Sequence, residues 1–212
     1  MDAPPVSLIK ETMPEDKSTQ MEVIAQAIRG LQGSSLLAFR QKNGYQPVIG
    51  EGSLDARILF IGEAPGEQEA KTGRPFVGAS GRVLSEFLKG IGLERQDVYI
   101  TNVVKDRPPE NRDPSPEEIA LYSPFLMRQI EIIQPKVIVT LGRFAMDYIL
   151  EQFKMPEFGQ KISALHGNLL ETQASFGPLK VLPLFHPAVA LYNRGQRAAM
   201  EADFQQLKSF VK

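Results

Sequence analysis

The chain has 212 residues, a length that suits one α/β domain with at most a short tail. Its 24 lysines and arginines against 25 aspartates and glutamates give a formal net charge of −1, so nothing in the balance announces a nucleic-acid binder and any such contact must come from local basic clusters. There is no cysteine, which excludes disulfides, thiolate metal sites and cysteine nucleophiles. No apolar run approaches the ~18 residues of a membrane span, and the first twenty residues lack the apolar stretch of a signal peptide. A soluble cytoplasmic protein with no membrane contact is expected.

Residues 1–18 mix proline with both charge signs and read as a disordered tail, leaving residues 19–212 as a single domain. A helix is expected from 19 to about 31, where Val23, Ile24, Ala27, Ile28 and Leu31 recur at helical spacing. Four short apolar runs then read as buried parallel strands: 57–61 (RILFI), 98–104 (VYITNVV), 136–141 (KVIVTL) and 180–185 (KVLPLF). Pro183 inside the fourth predicts either an edge position or an irregular strand. Helical patterns separate the strands at 80–90, 115–134 and 143–153, and a last one runs from about 196 to 210. Ser115 followed by Pro116 and two glutamates is a helix start: the hydroxyl caps, and proline tolerates the first turn. Strands alternating with helices predict an α/β fold, a three-layer α/β/α sandwich around a central four-stranded parallel sheet.

Ligands of such sheets sit at the carboxyl ends of the strands. Three segments bring polar groups to that edge: Gly62-Glu63-Ala64-Pro65-Gly66 after the first strand, Asn102 in the second, and His186-Pro187 after the fourth. Each alone has an ordinary structural explanation, and the convergence is what points to a site. Other chemistries fail. No G-x-G-x-x-G follows the first strand, Lys71-Thr72 lacks the glycines of a phosphate-binding loop, and no G-x-S-x-G is present. His166 and His186 have no ligand spacing between them, so no metal site and no cofactor is expected.

The motifs GEAPG (62–66), GRPFVG (73–78), TNVVK-x-RPP (101–109), IQPKVIVTLG (133–142) and FHP (185–187), in this order, closely resemble those of family 4 uracil-DNA glycosylases, from about Gly50 to the end of the chain. The resemblance implies hydrolysis of the N-glycosidic bond of uracil in DNA, with the nucleotide turned out of the stack, and hence uracil-containing DNA as partner of a monomer.

It also implies roles for individual residues. Phe76 would stack on uracil. Asn102 would accept from N3–H and donate to O4, a pattern cytosine reverses. His186 would donate to O2, where charge grows as the base leaves. Glu63 and Ala64 would line the water and sugar side. Ala64 carries no carboxylate, so weak or indirect water activation is expected. Glu69 would lie near uracil C5 and exclude the thymine methyl. Lys71, Arg74, Lys105 and Arg107, together with the helix start at Ser80, would meet phosphates. Leu191, Tyr192 and Arg194 belong to the segment placed like the family's duplex-entering loop.

Two departures stand out. The family holds a [4Fe–4S] cluster on four cysteines, which align here with Ser35, Ala38, Asp106 and Tyr122, so cluster binding is expected to be absent. Tyr122 is expected to fill part of that space, and Asp106 to pair with a nearby arginine or lysine. Ala188 stands where the family usually has serine, which would loosen the grip on DNA. Those departures keep open a second reading, a catalytically weak relative that binds a nucleobase or single-stranded nucleic acid.

Overall fold

A computed structural model describes residues 16–211. In chain order the elements are α1 (Lys17–Arg29), α2 (Ser35–Lys42), β1 (Glu51–Gly52), β2 (Ile58–Gly62), α3 (Glu67–Thr72), α4 (Ala79–Gly90), β3 (Tyr99–Asn102), α5 (Pro116–Ile133), β4 (Val137–Leu141), α6 (Arg143–Gln152), α7 (Ile162–Leu165), β5 (Leu170–Ala174), β6 (Gly177–Leu184) and α8 (Arg194–Gln205). Of the expected tail, residues 1–15 lie outside the described residues. Residues 16–18 are not tail: Asp16 caps α1, its carboxylate accepting from the Thr19 N–H at 2.9 Å.

The four expected strands form a parallel sheet in the order β3-β2-β4-β6. The full sheet has six strands, not four. β1 adds antiparallel to β3 and β5 adds antiparallel to β6, one at each edge. Both additions escape a search for apolar runs. β1 is two residues long, and β5 (LETQA) carries half-exposed polar side chains suited to an edge.

Pro183 finds its place in this pairing. β6 is an interior strand, lying between β4 and β5. Lys180 donates to the Lys136 carbonyl and the Leu184 carbonyl accepts from Gly142, so even-numbered residues bond toward β4. Pro183 therefore turns its missing donor to the other side, beyond the last β5 pair, Leu170 with Val181. No ladder bond is lost there.

Alternation along the strands separates two cores. Leu59, Ile61, Ile138 and Val181 pack under α1, α2, α5 and α6. Ile58, Phe60, Ile100, Val139 and Leu182 pack under α4 and α8 through Val83, Phe87, Met200 and Phe204. Helices thus cover both faces, as the three-layer reading requires. The α5 start is a capping box, in which Ser115 and Glu118 each accept from the other's backbone N–H.

Candidate active site

The carboxyl ends of β2, β3 and β6 converge on a cavity of about 310 Å³. Glu63, Ala64, Glu69, Phe76, Asn102 and His186 all line it. Close packing at its floor depends on Gly62: a Cβ there would stand 2.4 Å from Asn102 Oδ1 and 2.6 Å from the Phe76 ring. Only glycine lets the amide and the ring meet over the end of β2.

Phe76 holds a left-handed backbone conformation, φ 50°, which costs energy for a non-glycine residue. The surroundings enforce it. Arg95 donates to the Pro75 and Phe76 carbonyls at 2.7 and 3.0 Å. One carboxylate oxygen of Glu69 accepts from the Val77 and Gly78 N–H groups at 2.9 and 2.8 Å. Glu69 therefore braces the aromatic loop besides lining the cavity. The Phe76 and His186 rings lie 5.8 Å apart, tilted by 33°.

Asn102 is buried, and its Oδ1 has no hydrogen-bond partner among the described residues. A buried acceptor left open is costly, so a ligand donor is the natural completion. His186 is set up as the complementary donor. Its Nδ1 accepts from the Ala188 N–H at 3.2 Å, which leaves the proton on Nε2. Burial pulls its pKa below the usual histidine value, against the pull of Glu69, so the ring is neutral near pH 7. Glu63 is pushed up to about 7, first by burial and then by Asp113, with Arg143 opposing. Glu63 thus brings to the cavity, next to Ala64, a carboxyl that burial holds near neutrality.

The proposed phosphate ligands divide. Ser80 lines the cavity at the first turn of α4. Lys71 is exposed and paired with Glu67 at 2.5 Å. Arg107 stacks over Tyr45 and donates to its hydroxyl and to Asn111. Arg74 forks onto Glu51 in a separate concavity. Leu191 and Tyr192 are exposed, Tyr192 to 90%, on the turn that follows His186, and exposed Arg194 opens α8. Lys105 must be withdrawn as a phosphate ligand. It is fully buried, its Nζ bonded to Thr101, Asn102 and Gln129, because the chain dives inward after β3.

Sequence reasoning missed Asn111 and Arg112, which also line the cavity. Arg112 forks onto Glu118 at 2.6 and 2.8 Å, and Glu110 and Asn111 both take left-handed conformations. The dense run ENRDPSP was the available signal.

The model of the uracil DNA glycosylase superfamily matches residues 49–208. A type-4 uracil-DNA glycosylase of Thermotoga maritima is 44% identical over 194 residues, covering 91% of this chain and 95% of that protein. The chain belongs to the type-4 uracil-DNA glycosylases. Type-4 enzymes of Sulfurisphaera tokodaii (50% identical, 77% of this chain and 74% of that protein) and Archaeoglobus fulgidus (47% identical, 79% and 82%) are similarly related.

The iron–sulfur cluster that the family implies does not fit this type-4 uracil-DNA glycosylase. No thiolate exists in its sequence, and the four aligned positions hold other chemistry. Tyr122 is fully buried and donates to Asp106 at 2.5 Å, with Ser34 at 3.0 Å from the same hydroxyl. Asp106 also takes Arg40 on both oxygens at 3.0 and 3.2 Å, and Arg40 reaches on to the Arg29 carbonyl at 2.9 Å. Ser35 bonds to Glu118 at 2.5 Å; Ala38 is exposed on α2. Burial raises the Tyr122 pKa, reinforced by Asp106, so the phenol keeps its proton as the donor.

Proposed function

We propose that this glycosylase hydrolyses the N-glycosidic bond of uracil in DNA with the residues of the cavity alone, without a cluster. The unpartnered Oδ1 of Asn102 carries the reading. It asks for a donor, and uracil N3–H is one; the Asn102 amide then donates to O4. Cytosine offers an acceptor at N3 and a donor at C4, which would leave two buried polar groups unpaired. Phe76 covers the face of the base, and the small cavity favours one flipped nucleotide.

As the base departs, negative charge collects on O2 and the sugar becomes cationic. Nε2–H of neutral His186 donates to O2 and stabilises that charge more in the transition state than in the ground state. Ionised Glu63 takes a proton from the water that attacks C1′, and its charge favours the cationic sugar. Ser80 and the free N–H groups at the start of α4 suit a flanking phosphate. Lys71, Arg107 and Arg194 add positive charge around the mouth, and Leu191 or Tyr192 fills the gap left in the duplex. The protein acts as a monomer in the cytoplasm.

The test is a single-turnover assay on an end-labelled oligonucleotide with one uracil, and with thymine and cytosine controls. Abasic sites are revealed by alkali. Cleavage confined to uracil is expected; a folded protein that binds the oligonucleotide and cleaves nothing would establish a binding protein instead.

A further inference from the structure

Lys105 is fully buried, and its three hydrogen-bond partners are all neutral. They are Thr101 Oγ1 at 2.7 Å, the Asn102 carbonyl at 2.8 Å and Gln129 Oε1 at 2.6 Å. The threonine hydroxyl spends its own proton on the Ile49 carbonyl at 2.8 Å, and the Gln129 amide nitrogen donates to the same carbonyl at 3.0 Å. All three partners therefore face Lys105 as acceptors. Three acceptors use all three protons of an ammonium, whereas a neutral amine has two. Burial pulls the lysine pKa well below its ordinary value, while a neutral amine would leave one of the three acceptors without a proton.

Sheet topology explains why the space exists. Val103 donates to the Gly62 carbonyl at the end of β2, so Asn102 turns its carbonyl to the opposite side, where β1 has already ended at the Glu51–Ile100 pair. The Lys105 ammonium fills this gap and seizes the backbone of the residue whose side chain faces the base. Burying a cation without a carboxylate is costly, and an apolar side chain could fill the same volume without that cost. Such a charge is retained where it serves the site.

We propose that Lys105 is a positioning residue that fixes Asn102 from behind and places a positive charge beneath the cavity floor, favouring departure of the base as an anion. This rests on the glycosylase reading above.

Fluorine at C5 makes uracil a better anionic leaving group, so single-turnover cleavage of matched uracil and 5-fluorouracil oligonucleotides reads how much help departure needs. Lys105→Gln keeps two donors and loses the charge. Uracil cleavage is expected to fall roughly ten- to a hundredfold, and 5-fluorouracil cleavage distinctly less, so the ratio between the two bases widens. An equal fall in both, or none, overturns the proposal, because a structural defect does not distinguish leaving groups. The double variant Lys105→Met with Gln129→Leu is expected to widen the ratio likewise and, if the single variant does not fold, removes one of the three acceptors left without a donor. On the wild-type protein, ¹⁵N NMR should find the Lys105 Nζ as an ammonium throughout the active pH range; a neutral amine there overturns the proposal whether or not the variants fold. A wild-type protein that cleaves neither base sinks the glycosylase reading and this role with it. If the wild type cleaves both and the variants keep its ratio, only the role of Lys105 is lost.

Discussion

Two polar regions flank the sheet, and they are built on opposite principles. In the cavity, polar atoms are held in place but left open: among the described residues Asn102 Oδ1 has no partner, and His186, its Nδ1 taken by the Ala188 N–H, turns Nε2–H to the cavity. At the aligned cluster positions polar atoms are closed upon one another, with Tyr122, Asp106, Arg40 and Ser34 in one buried network. A buried network closed in this way fastens elements together. This one ties the segment around α2 to the loop after β3 and to α5. An open acceptor stabilises nothing until a ligand arrives. The contrast separates what holds the molecule from what it does, and it can be attacked from either side.

The largest effect is expected in the closed region. Asp106→Ala strands the buried Arg40 guanidinium and the Tyr122 hydroxyl, and should cost about 3–5 kcal/mol in a denaturant titration. Tyr122→Phe removes only the hydroxyl and should cost about 1–2 kcal/mol. In both, the fraction still folded should keep the wild-type preference for uracil. The open region should behave in reverse. His186→Ala should lower single-turnover cleavage by about 10²–10³-fold, roughly 3–4 kcal/mol, with little change in stability or in DNA binding. Equal losses of rate and binding would assign the histidine to the grip instead.

Asn102→Asp offers an ionisable acceptor where the amide donated to O4, and should lower uracil cleavage by about a hundredfold or more. Unchanged rate and selectivity would remove the pairing role. Glu63 yields a pH signature. Its raised pKa means cleavage should climb with pH through about 7, and Glu63→Gln should flatten that limb. The same shift has a stability sign: the folded state holds the proton more tightly, so the contribution of Glu63 is present below its ordinary value and is lost as pH rises through about 7. Glu63→Gln should then raise the melting temperature at pH 8 and leave it unchanged at pH 4. The smallest effect is expected from Tyr192→Ala: with its side chain almost wholly exposed, stability should move by less than about 0.5 kcal/mol while affinity for duplex DNA weakens.

The sequence made the open region more legible than the closed one. Uninterrupted apolar runs such as RILFI mark interior strands, and residues just past them must lie at the sheet's carboxyl edge, so Glu63, Asn102 and His186 could be found. Strands β1 and β5 were hidden because an edge strand needs no apolar run. Lys105 was misread because a lone lysine in a loop looks like a surface cation; only the ending of β1 reveals the gap that buries it. Arg112 was missed because its place depends on Glu118, one helix start away in the fold. Tyr122 and Asp106 were legible as substitutions, yet their hydrogen bond to each other required the two segments to be brought together.

The most direct test of a cluster-free active site is to assay one preparation for iron, acid-labile sulfide and uracil cleavage, before and after exposure to a strong chelator and an oxidant. Full uracil-specific cleavage without stoichiometric iron or sulfide, unchanged by either treatment, is the predicted result. Activity that tracks iron content, or is lost on oxidation, would contradict it.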